Sequence, residues 1–161
     1  MKPIRTSPEV VALIKKFEGL RLKAYRCPGG VWTIGYGNTD GVTEGMEISL
    51  EEAEARLQRD LRRFENAIVK AVIPELTDNQ FSALVSLVYN IGVEAFRRST
   101  LLKKFNSGDI QGAAEEFGKW DRVKGNVVPG LAKRRERERG MFSRSQDPDQ
   151  TEGHGSSSED L

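Results

Sequence analysis

Glu18, Cys27 and Thr33 place a carboxyl, a thiol and a hydroxyl in one short stretch, with eight residues between the first two and five between the last two. A carboxyl can deliver a proton, and a thiol and a hydroxyl at fixed distances beyond it could line the same cleft. Doing so requires that separate elements bring the three side chains together.

The first of those elements is a helix. Ser7 is a capping residue, Pro8 fits the first turn, and Glu9 complements the positive helix end. Val10, Leu13, Ile14 and Phe17 recur at helical spacing, and Gly19 can adopt the left-handed conformation that closes a helix. Glu18 therefore falls on the last turn, beside apolar neighbours and at the negative end of the helix dipole. Both surroundings favour the protonated carboxyl that a general acid needs.

From residue 28 to 46 the sequence changes to glycines and alternation, which predicts two or three short strands with tight turns. Cys27 enters this β region and Thr33 lies within it. Ser49 and Glu52 then form a capping box before Leu50, Ala53, Leu57, Leu61, Phe64 and Ile68, a helix over about 50–72 that ends before Pro74. Thr77 and Gln80 repeat the box ahead of FSALVSLVYNIG, a strongly apolar helix ended by Gly92. Shorter helices are predicted around 99–106, 110–117 and 130–142. The expected architecture is α+β: a small N-terminal lobe (about 1–60) with a short sheet, a long linking helix, and an all-α C-terminal lobe (about 75–143).

The chain has 161 residues, of which 37% are hydrophobic, enough for a real core within residues 1–145. All 25 Lys and Arg and 19 of the 24 acids precede residue 146, so this body is moderately basic and suits an anionic partner. Residues 146–161 are acidic, lack apolar periodicity and read as a disordered tail, which also carries the lone His154. The single cysteine excludes an intramolecular disulfide framework, and no cysteine and histidine cluster has metal-ligand spacing. No structural metal is implied. The longest apolar run near the start, VVALI at 10–14, is too short to span a bilayer, so no membrane anchor is expected either.

The run FEGLRLKAY (17–25) followed by TIGYGN (33–38) resembles the phage-type lysozymes, or endolysins, of glycoside hydrolase family 24. The similarity extends to ISLEEAEARLQRD (48–60), ALVSLVYNIG (83–92) and PGLAKRRERER (129–139), covering residues 7–142. It implies a lysozyme-like fold, no cofactor, and hydrolysis of the β-1,4 bond between N-acetylmuramic acid and N-acetylglucosamine of bacterial peptidoglycan. It implies Glu18 as the acid, with Cys27 and Thr33 holding or activating water on the opposite sugar face, an inverting geometry. Substrate contacts then fall on Tyr25, Asn38, Tyr89, Asn90 and Ser99, and one of Arg134 or Arg135 turns inward to orient Glu18.

Many relatives carry Asp where this chain has Cys27. A thiol has a reference pKa of about 8.5 against about 3.9 for Asp, so its anionic help depends on pH and on a neighbour such as Arg26. Water positioning by a partial thiolate and direct thiol attack on the sugar both stay open. A non-lytic peptidoglycan-binding pseudoenzyme is the alternative that the lost Asp suggests. A nucleic-acid reading of KRRERER (133–139) is disfavoured, because Glu136 and Glu138 alternate with the cations as in a solvated, salt-bridged helix, with Arg134 and Glu138 at i, i+4. A monomer is expected, one that waits in the host cytoplasm until the membrane is permeabilised and then reaches the wall.

Overall fold

The computed structural model describes residues 5–144. The tail 146–161 and His154 lie outside them. Helix α1 (Pro8–Glu18) begins as its residues dictate: the Ser7 hydroxyl accepts from the Val10 amide, and Gly19 closes the helix with φ 74°. Val10, Leu13 and Ile14 are buried, while Phe17 is only half-buried.

Strand β1 (Arg21–Arg26) starts before the glycine-rich region, and β2 (Trp32–Gly35) pairs with it antiparallel, Tyr25 opposite Thr33 and Arg26 opposite Trp32. The predicted β region thus began too late. β1 is largely exposed and has no apolar face to mark it. Instead of a third strand, the segment around Met46–Ile48 runs beside β1 through two hydrogen bonds, Ala24 N–H to Met46 and Ile48 N–H to Leu22.

Helix α2 (Leu50–Ala71) and helix α3 (Asp78–Ile91) both open on the reciprocal capping boxes that their sequences carry. Ala53, Leu57, Leu61, Phe64 and Ile68 line the buried face of α2, but Leu50 at its first turn is exposed. α3 is buried from Phe81 to Val88 and packs against α1, α2 and the last helix, so it is the axis of the fold. Helices α4 (Val93–Arg97), α5 (Thr100–Asn106) and α6 (Ile110–Glu116) follow, then a 3-10 turn at Phe117–Lys119. α4 escapes the sequence because no side chain caps it.

A second, minimal hairpin, β3 (Arg122–Val123) and β4 (Asn126–Val127), precedes helix α7 (Pro129–Phe142). β sequence signals at 28–46 are therefore not the only ones that fold into strands. α7 also departs from the solvated helix that its alternating charges predict. Arg134, Arg135 and Glu138 are buried beside Met141 and Phe142, whereas Lys133, Glu136, Arg137 and Arg139 face solvent. Arg134 and Glu138 do pair at i, i+4, at 3.2 Å, but inside the protein. The architecture is α+β as expected, with the hairpin on one side and helices predominating elsewhere.

Candidate active site

Glu18 ends α1 with its side chain 17% exposed, facing two things at once. Arg134 of α7 donates to its Oε2 at 2.8 Å, and Gly37, just past β2, passes close to its Oε1. It is Arg134, not Arg135, that reaches the Glu18 carboxyl. A Cβ at Gly37 would sit 2.5 Å from Glu18 Oε1, on a backbone with φ +79°. Gly37→Ala is therefore expected to displace the carboxyl and, with Glu18 as the acid that the resemblance implies, to lower wall hydrolysis by about 10²-fold, the scale of a misplacement near 1 Å. Turbidity clearing by a variant with near-native circular dichroism checks it.

Arg134 is 3% exposed in its side chain and fully engaged. Besides Glu18, it donates through Nε to Glu138 Oε2 at 3.2 Å and through Nη2 to the Ser86 carbonyl at 3.0 Å, and it lies 5.7 Å from the Phe17 ring. Glu138 also accepts from the Ser86 hydroxyl. Arg135 Nε stands 3.2 Å from Glu138 Oε1, and its Nη2 donates to Asn90 Oδ1 at 2.7 Å. Burial pushes the Glu138 carboxyl above its ordinary range, against the pull of Arg135, Arg134 and Ser86.

Cys27 and Thr33 come together at the hairpin. The Cys27 amide donates to the Val31 carbonyl at 3.0 Å, and the half-buried thiol is drawn below its ordinary pKa by the Val31 amide first, then by Gly29, with Thr33 contributing. The buried Thr33 hydroxyl also lies 2.9 Å from the Val31 carbonyl, and its one hydrogen serves either that oxygen or the sulfur. Arg26, foreseen as the cation beside the thiol, turns elsewhere: its guanidinium lies 5.9 Å from the Trp32 ring and donates to the Gly30 carbonyl. Among the described residues no hydrogen bond joins Glu18 to Cys27 or Thr33.

A cavity of about 320 Å³ opens beside Gly37, lined among others by Thr39, Asp60, Tyr89, Asn90 and Val93. Of the five expected sugar contacts, Tyr89 and Asn90 reach it. Tyr25 sits instead on the hairpin, half-buried, with the Arg21 guanidinium 4.5 Å from its ring. Asn38 is 2% exposed and already occupied: Oδ1 accepts from the Tyr36 amide, and Nδ2 donates to Asp60 and to the Tyr89 hydroxyl. It shapes the turn after β2. Ser99 is 4% exposed, donates to the Phe96 carbonyl and caps α5 by accepting from the Leu102 amide, so its hydroxyl is spent on the helix start.

Tyr89 donates to the Tyr36 carbonyl at 2.6 Å. Burial first, and the negative charges of Glu18 and Asp60 next, push its phenol well above the ordinary range, so it stays neutral as a donor. Among the cavity residues that sequence reasoning missed, alongside Thr39 and Val93, is Asp60. A signal existed: it falls three residues after Leu57 and four before Phe64, an acid on the flank of a buried stripe. Among the described residues no group of three or more His, Cys, Asp or Glu could hold a metal ion, and no helix is long and apolar enough to cross a membrane.

A carboxyl at a helix end, held by Arg134 of α7 and facing the turn after β2 beside an open cavity, is set on a lysozyme-like fold. The chain belongs to the phage lysozyme family, whose family model, described as Phage lysozyme, matches residues 15–138. It is similar to an endolysin of Acyrthosiphon pisum secondary endosymbiont phage 1, 47% identical over 84% of this chain and 96% of that one. The endolysin of Salmonella phage P22 is 40% identical over 86% of this chain and 98% of that one. Among solved structures, the muramidase domain of SpmX from Asticaccaulis excentricus superposes with a TM-score of 0.81 at 39% identity, covering 89% of this chain and all of that one. The protein is thus a glycosidase, a lytic hydrolase of bacterial peptidoglycan.

Proposed function

We propose that the chain cleaves the β-1,4 bond between N-acetylmuramic acid and N-acetylglucosamine, with Glu18 as the general acid that protonates the leaving oxygen. The observation that carries this reading is the Glu18 carboxyl itself, partly exposed at the end of α1 and held in one orientation by Arg134 at 2.8 Å and by the close pass of Gly37. Orientation of this kind is what general acid catalysis needs from a protein. Tyr89 and Asn90, with Tyr25 on the hairpin, supply flat and amide surfaces for N-acetyl sugars.

Cys27 and Thr33 hold the attacking water on the far face of the sugar, giving inversion. The amides of Val31 and Gly29 draw the thiol pKa down, so thiolate is available from lower pH than in a free cysteine, and its help fades as pH falls further. The catalytic unit is a monomer within residues 1–145 that waits in the host cytoplasm and meets the wall once the membrane is permeabilised.

Digestion of purified peptidoglycan tests the reading. New reducing ends on muramic acid, released first as the inverted anomer by NMR, are expected; ends on glucosamine or a retained anomer would overturn it. Cys27→Ala is expected to lower hydrolysis by about 10²-fold, with thiol alkylation having a similar effect. Unchanged hydrolysis in Cys27→Ala would remove the thiol from the mechanism.

A further inference from the structure

Four charged side chains meet where α1, α3 and α7 converge: Glu18, Arg134, Arg135 and Glu138. Glu138 is fully buried, 52 residues in sequence from the Ser86 hydroxyl that it accepts from, and Arg134 lies between it and Glu18, donating to both carboxyls. The other titratable and charged groups facing this cluster are Tyr89 of α3, held neutral, and Asp121 before β3, which stands 3.7 Å from the exposed Arg122. With both carboxyls ionised the two guanidiniums are matched. With either carboxyl protonated, one positive charge is left over.

We infer that Glu138 is a positioning residue for the reaction: it fixes Arg134 against Glu18 and takes up part of the guanidinium charge, and so sets the pH at which activity fails on the alkaline side. Two carboxyls flanking one guanidinium lose their protons as a coupled pair, and the last proton is held more tightly because the partner is already negative. Replacing Glu138 by a neutral amide leaves one of the two guanidinium charges unmatched beside Glu18, which favours its carboxylate and disarms the acid at lower pH.

The inference rests on Glu18 being the acid, and the pH dependence of kcat/KM on purified peptidoglycan separates the two. In Glu138→Gln the alkaline limb is expected to move down by about one pH unit relative to the acid limb. Glu138→Asp, which keeps the charge, is expected to return the limb most of the way. A purely structural role would instead lower the rate in equal proportion at every pH, and an unmoved limb would overturn the inference. Should Glu138→Gln fail to fold, Ser86→Ala weakens the same carboxylate by removing one hydrogen bond; its limb moves the same way by a smaller step, and a limb unmoved there overturns the inference equally. An active Glu18→Gln would sink the underlying reading instead.

Discussion

Glu18→Gln is expected to abolish wall hydrolysis, with kcat falling by about 10²–10⁴-fold or more, because an amide cannot give the proton that the leaving sugar oxygen requires. The substitution is nearly isosteric. The introduced side-chain amide still fits against Gly37, and Arg134 keeps Glu138 and the Ser86 carbonyl, so stability should change little. Binding to peptidoglycan should survive, since Tyr89, Asn90 and Tyr25 are untouched. Pull-down with sacculi and release of reducing ends, measured on one preparation, separate the loss of chemistry from a loss of binding. Normal clearing by this variant would end the assignment of the acid.

Arg134→Met is expected to have the largest effect on stability. It removes the cation that pairs with Glu138 at 3.2 Å and leaves that carboxyl fully buried with Arg135 and the Ser86 hydroxyl. Removing one partner of a buried pair costs about 3–5 kcal/mol, which for a domain of this size lowers Tm on the order of 10 °C. Hydrolysis should fall as well, because Glu18 loses its clamp. Arg134→Lys separates the two consequences: a charge is kept, but an ammonium cannot reproduce three directed bonds to Glu18, Glu138 and Ser86. It should be more stable than the Met variant yet nearly as inactive. Thermal melts alongside turbidity assays check both.

Local signals were the ones the sequence displayed clearly. The boxes at Ser49 and Thr77 each act over three residues, and both appear in the structure as reciprocal bonds. Glu18 at the end of α1 was readable for the same reason, from Ser7 at one end of the helix and Gly19 at the other. The burial of α7 was hidden. Its alternation of Arg and Glu is what a solvated helix shows, and nothing within α7 announces that Ser86 and Asn90 wait on α3 to receive Arg134, Arg135 and Glu138. Asn38 and Ser99 misled in the opposite direction. Both have side chains suited to sugars, but such side chains are equally suited to closing turns and capping helices, and the backbone nearby claims them. Asp60 passed unnoticed because its partner, Asn38, lies across the fold on the hairpin turn.

The stitching around that turn has a consequence for affinity. Asn38 ties it to α2 through Asp60, and Tyr89 ties it to α3 through the Tyr36 carbonyl, all before any ligand arrives. On the proposed reading, a glycan strand entering beside Gly37 would meet a floor whose rotamers are already chosen, so little of its contact energy would be consumed in freezing side chains. What remains is free to be used on the sugar itself, in the ring distortion that brings a glycosidic bond toward cleavage.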